Sequence, residues 1–225
     1  MLCSSDEMHR SAADDLSPVL ELMAEDPTAS RPRPVRRRFL QLLDALEASG
    51  ARYALCGAVA MGAHGVRRFT EDIDVLVDAG DLAAVCARLA GPFREVGREP
   101  PTGAPAQLRF APRRTRGAAG VVIDVLVPVD AAEAWALASA VRGRAFGRAV
   151  DVVAPEALVV LKLRAYLDDP ESAAGAKHRA DALALAASVP LDRAALRRLA
   201  STDARLAVEL ERVLAAPAPR GRTGR

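Results

Sequence analysis

The stretch RFTEDIDVLVD, residues 68–78, sets Asp72 and Asp74 two positions apart among Ile73, Val75 and Val77. In a strand, successive side chains point to opposite faces, so the two carboxylates share a side roughly 6 to 7 Å apart along the backbone. The apolar trio marks the buried side. With no basic residue between them, the two carboxylates repel each other unless something positive sits nearby. A third, Asp124, stands inside VVIDVLV, residues 121–127, where every neighbour is apolar. An ionised group taken out of water is costly unless it is paired or coordinated, and nothing in its own strand offers a partner. If its strand lay beside the first, the three carboxylates would form one cluster.

A set of oxygens without His or Cys is what hard cations such as Mg²⁺ take, and Mg²⁺ keeps waters and shares its coordination with substrate phosphates. Two such ions about 4 Å apart can clamp the attacking and leaving oxygens of phosphoryl or nucleotidyl transfer. The plainer reading makes Asp72, Asp74 and Asp78 the wet face of an edge strand. Asp124, in its apolar run, favours the metal. Just upstream, LCGAVAMGAHG reads as a strand, a tight turn at Gly57 and the start of a small-residue helix, whose unpaired amides and positive dipole end suit an anion. GAVAMG lacks the Gly–Lys–Ser/Thr ending of a Walker loop. Ser139, Ser172 and Ser188 have no nucleophile-elbow pattern, so a hydrolase triad has no support.

The elements that must carry these groups follow from periodicity and punctuation. VRRRFLQLLDALEASG repeats Phe39, Leu42, Leu43 and Leu46 at helical spacing and stops at Gly50. RYALCG is a short strand, DIDVLVD the next, and GDLAAVCARLAG a helix. APAQLRFAP and GVVIDVLVP form a hairpin across the Arg-rich loop RRTRGAAG. A helix near DAAEAWALASA and one or two strands within 141–153 come next, and after Pro155 the pattern is helical only. The expected layout is a flexible leader over 1–33 with one short helix in LSPVLELMAE, a core over 34–153, a helical region over 154–216 and a disordered basic tail over 217–225.

At 225 residues and 51% hydrophobic, the chain can bury a sizeable core built mainly from Ala, Leu and Val. The formal charge of +2 excludes a global field drawing the protein onto nucleic acid or membrane. The Arg clusters RPRPVRRR and RGRTGR read as a solvated linker and a frayed end, with contact to RNA phosphates as the sharper alternative. Three cysteines without paired spacing suit a reducing compartment. No apolar run is long enough to span a bilayer, and the acidic start does not match a secretion signal, so a cytoplasmic protein is expected. Trp135 reads as packing and His64 as packing or capping. Lys177, His178, Arg179 and Asp181 read as helix-surface positions.

The phrase GAVAMGAHGVRRFTEDIDVLV resembles the polymerase-β-like nucleotidyltransferase superfamily, and more narrowly its bacterial AbiEii-like toxin and minimal nucleotidyltransferase branch. Arg68, Thr70, Asp72, Ile73 and Asp74 match the family's Arg–x–Thr–x–Asp–Ile–Asp, Gly57 its turn and Asp124 its third carboxylate. Lys162 and Asp181 match polar positions of a later helix pair, and the likeness covers about 35–190. It implies an α/β (α+β type) fold, a mixed twisted sheet flanked by helices with a helical C-terminal region. It also implies transfer of a nucleoside monophosphate from a nucleoside triphosphate to an acceptor hydroxyl. Asp72, Asp74 and Asp124 would be the catalytic metal ligands, holding two Mg²⁺ ions with Mn²⁺ as the substitute. Gly57, Ala58, Arg68, Thr70 and Lys162 would hold the nucleotide. The toxin-like reading brings a tRNA end or a protein side chain as acceptor and an antitoxin as partner. Ala58 departs from the family's usual Gly or Ser and cannot donate a hydroxyl to phosphate. Beside this reading stand an aminoglycoside-type small-molecule transferase and a catalytically silent binding module of the same fold.

Overall fold

The computed structural model describes residues 15–22, 35–66, 70, 72–99, 106–113 and 121–216. Arg68, residues 114–120 of the expected Arg-rich loop and the expected basic tail lie outside the described residues. In chain order the elements are α1 (Ser17–Leu22), α2 (Val35–Ser49), β1 (Tyr53–Leu55), α3 (Gly57–Ala63), β2 (Asp72–Val77) and α4 (Leu82–Leu89). Then come β3 (Phe93–Glu99), β4 (Ala106–Pro112), β5 (Val122–Val127), α5 (Ala131–Ala138), β6 (Val141–Ala145) and β7 (Arg148–Val152). The chain closes with α6 (Pro155–Asp168), α7 (Ala173–Ser188), α8 (Arg193–Ala200) and α9 (Ala204–Ala215).

The strands form one mixed sheet in the order β3-β4-β5-β2-β1-β7-β6. β2 and β5 pair in parallel, as do β1 and β7, and the other neighbours are antiparallel. This is the mixed sheet flanked by helices that the motif implies. β2 is central because its inward residues Ile73, Val75 and Val77 are wholly buried. The expected strands, the hairpin and the helical close all form. β3 does not stand out in the sequence, because FREVGRE is a polar edge strand with a register shift between Glu95 and Gly97 that spoils its alternation.

One apolar core runs through the sheet, α2, α4 and the C-terminal helices. α6 anchors it, packing against α3, α5, α7, α8 and α9. Part of the expected leader also belongs to this core. Leu16, Val19 and Leu20 are buried, and a Cβ on Gly62 of α3 would lie 2.4 Å from a Val19 methyl, so α1 rests directly on α3. The Leu16 amide donates to the Arg144 carbonyl at 2.8 Å, tying α1 to β6. Three apolar groups at i, i+3 and i+4 suffice to dock even this short helix. His64 is a packing residue, as expected: it is buried, with Nε2 2.8 Å from the Val153 carbonyl that accepts its proton.

Candidate active site

The parallel register of β2 and β5 sets Asp74 opposite Asp124 and Asp72 opposite Val122. Register partners in a sheet share a face at about 4.8 Å, so the sheet itself forces the carboxylates together. One oxygen from each of Asp72, Asp74 and Asp124 lies within 4.8 Å of the others. Asp72 and Asp74 are half-buried, while Asp124 is 1% exposed. Thr70, itself buried, donates its hydroxyl to Asp72 Oδ1 at 2.5 Å and so aims that carboxylate. Three oxygen donors at this spacing, with no nitrogen or sulfur among them, fit a hard divalent cation.

Gly57 closes the site from the β1 side. The Cys56 amide donates to the Asp74 carbonyl at 3.0 Å, which carries the chain level with Asp74 before it turns into α3. Gly57 makes that turn at φ +59°, and a Cβ there would stand 1.7 Å from Asp74 Oδ2. The glycine is therefore demanded by the carboxylate beside it as well as by the backbone angle. Ala58 is 1% exposed, so its methyl packs inward and offers no polar group.

A cavity of about 310 Å³ opens between the Asp74 face of the sheet and α6, with Gly57, Lys162, Glu133, Arg164 and His178 in its wall. Lys162 is buried within this wall. Its side chain is 8% exposed, and Nζ lies 3.0 Å from Oδ2 of Asp181 on α7, also 8% exposed. Asp181 thus leaves the surface where the sequence put it, and His178 is half-buried on the cavity wall. Removing one partner of such a buried pair costs about 3–5 kcal/mol. Deeper in, Glu133 is 1% exposed and accepts the Val129 amide at 2.8 Å. Burial pushes its carboxyl above the usual range. Arg164 bridges from α6 to Asp130 and Glu133. Burial, reinforced by the charge on Asp74, pushes the Cys56 thiol well up, so this cysteine stays protonated and inert.

The partner of Asp124 comes from the next strand. Arg109 on β4 is its register partner, and the guanidinium spans both oxygens, Nε to Oδ1 at 2.8 Å and Nη2 to Oδ2 at 2.7 Å. Sequence reasoning missed this residue. The signal was present: in AQLRFAP, Gln107 and Arg109 alternate with the core residues Leu108 and Phe110, so a hairpin with the next strand puts Arg109 on the carboxylate face.

The family described as "Nucleotidyl transferase AbiEii toxin, Type IV TA system" matches residues 38–217. No curated protein sequence matches this chain. Among solved structures, an antigenic nucleotidyltransferase-like protein from Paracoccidioides brasiliensis is 18% identical, with TM-score 0.47 over 77% of this chain and 91% of that one. The antibiotic-resistance factor ANT(2'')-Ia is 15% identical, with TM-score 0.43 over 79% of this chain and 87% of that one. The family match runs from α2 through α9 and takes in Gly57, the three carboxylates and the Lys162–Asp181 pair. The chain belongs to the AbiEii nucleotidyltransferase toxin family.

Proposed function

We propose that the chain transfers a nucleoside monophosphate from a nucleoside triphosphate to the hydroxyl of a macromolecular acceptor, a tRNA end or a protein side chain, as a toxin held in check by an antitoxin in the cytoplasm. The observation that carries this reading is the pairing of Asp74 with Asp124 across β2 and β5, with Asp72 completing a cluster within 4.8 Å. Asp72, Asp74 and Asp124 would hold Mg²⁺, or Mn²⁺ in its place, as a pair of ions. When bound, such ions polarise phosphate oxygens, favour a deprotonated acceptor hydroxyl and stabilise charge on the leaving group.

In the transfer, a bond forms between the acceptor oxygen and the α-phosphorus, the bond from that phosphorus to the bridging oxygen breaks, and pyrophosphate leaves. The acceptor proton passes to Asp124, whose carboxylate lies on the acceptor side of the cluster in this reading. Gly57 lets the backbone turn without crowding Asp74. Lys162, fixed in the cavity wall by Asp181, supplies positive charge toward the triphosphate. Thr70 keeps Asp72 in place for the nucleotide, and Arg68 would add positive charge toward the phosphates.

Ala58 favours one other reading, a silent binding module, because its buried methyl replaces a group that would donate to phosphate. Incubation with each labelled triphosphate, Mg²⁺ and total tRNA, cell protein or an aminoglycoside separates the two. Transfer of label to RNA or protein, lost on chelation by EDTA, is the expected result. Label on the aminoglycoside alone would replace the macromolecular acceptor with a small one. No transfer in any arm, together with a melting temperature unmoved by Mg²⁺ and triphosphate, would leave the binding module in its place.

A further inference from the structure

Both oxygens of Asp124 are taken by the Arg109 fork, yet Asp124 is also a member of the carboxylate cluster. The two roles compete. A guanidinium fork uses one lone pair on each oxygen, and it places a full positive charge within a few ångströms of the point where a divalent ion would bind Asp72, Asp74 and Asp124. At such short range two cations repel even through water-like screening. The two ends of the fork also differ in exposure. The Asp124 side chain is 2% exposed and held by β5 in the middle of the sheet, whereas that of Arg109 is 49% exposed. Across β3 the register partner of Arg109 is Gly97, which adds no side chain to that part of the face. Of the two, the Arg109 end is the one that solvent and an incoming ion reach.

We propose that Arg109 is a positioning residue that stands in for the cation: it holds the Asp124 carboxylate in place in the metal-free protein, and ion binding displaces it from at least one carboxylate oxygen. The inference rests on the cation site proposed above. Its consequence is a threshold, since the site loads only where the divalent ion outcompetes an internal guanidinium. A purely structural ion pair would have no such effect, because its loss would lower stability without strengthening metal binding.

The test is titration of the full chain with Mn²⁺, following the free-ion signal by electron paramagnetic resonance, for wild type, Arg109→Gln and Asp74→Asn. Arg109→Gln is expected to bind Mn²⁺ at least about tenfold more tightly than wild type, to melt lower without metal, and to recover most of that difference at saturating Mn²⁺. Mn²⁺ affinity equal to or weaker than wild type in a folded Arg109→Gln would overturn the inference. Should the Gln variant not fold, Arg109→Met, which keeps an unbranched stem but loses both the charge and the fork, is read in the same titration. Tighter binding than wild type supports the inference and unchanged or weaker binding overturns it. Binding by wild type that Asp74→Asn abolishes and the Arg109 variants do not alter would overturn this inference alone. Absence of Mn²⁺ binding in wild type and the Arg109 variants alike would overturn the cation reading and this inference with it.

Discussion

Asp74→Asn is expected to lower nucleotidyl transfer by about a thousandfold or more, the equivalent of about 4 kcal/mol of lost transition-state stabilisation. Asp74 offers one of the three oxygens that lie within 4.8 Å of one another. An amide of the same shape keeps the contact with Gly57 and the backbone ladder to Cys56 while removing the charge that would hold the ion, so the variant should fold and lose the melting-temperature gain that Mn²⁺ gives wild type. Transfer rates by label incorporation and melting with and without Mn²⁺ by scanning calorimetry check both halves. Retained transfer, or an undiminished gain with Mn²⁺, would show that Asp74 serves packing rather than chemistry.

Gly57→Ala should be nearly as damaging by another route. A side chain at φ +59° costs about 1–2 kcal/mol in the left-handed region. The new methyl would also stand 1.7 Å from Asp74 Oδ2, so the carboxylate or the turn must shift, at about 1–3 kcal/mol more. A destabilisation of about 2–5 kcal/mol is expected from these terms together, with transfer falling to the level of Asp74→Asn because the displaced carboxylate leaves the cluster. A double-mutant cycle identifies the cause. In an Asp74→Ala background the carboxyl that collides is gone, so Gly57→Ala should cost markedly less than in wild type. Strict additivity between the two positions would mean that backbone strain alone, and not the carboxylate, demands glycine there.

The residues of the proposed site are the ones this sequence displays most openly, and the reason is physical. β2 shows two carboxylates on one face and buried aliphatics on the other, because a strand half in the core cannot hide that alternation. β5 shows a lone acid in an apolar run, and α3 follows a glycine. The adjacency of Asp74 and Asp124 is a matter of register between strands distant in the chain, which no local pattern fixes; the family resemblance supplied it. Arg109 was missed although its hairpin was legible, because the alternation shows which face Arg109 takes and not which residue of β5 it meets. Asp181 was misplaced toward solvent because α7 is built largely of alanine and does not advertise which face is buried. α1 and β3 lie at the limit of legibility, one a six-residue helix and the other a polar strand with a shifted register.

The measurement that bears most directly on the central claim is a crystal structure of wild type soaked with Mn²⁺ and a non-hydrolysable nucleoside triphosphate, read by anomalous scattering at the manganese edge. Peaks among the carboxylates of Asp72, Asp74 and Asp124, with the triphosphate reaching them from the Gly57 side, are the predicted result. Manganese bound elsewhere, or a triphosphate seated away from that cluster while all three carboxylates stay metal-free, would contradict it.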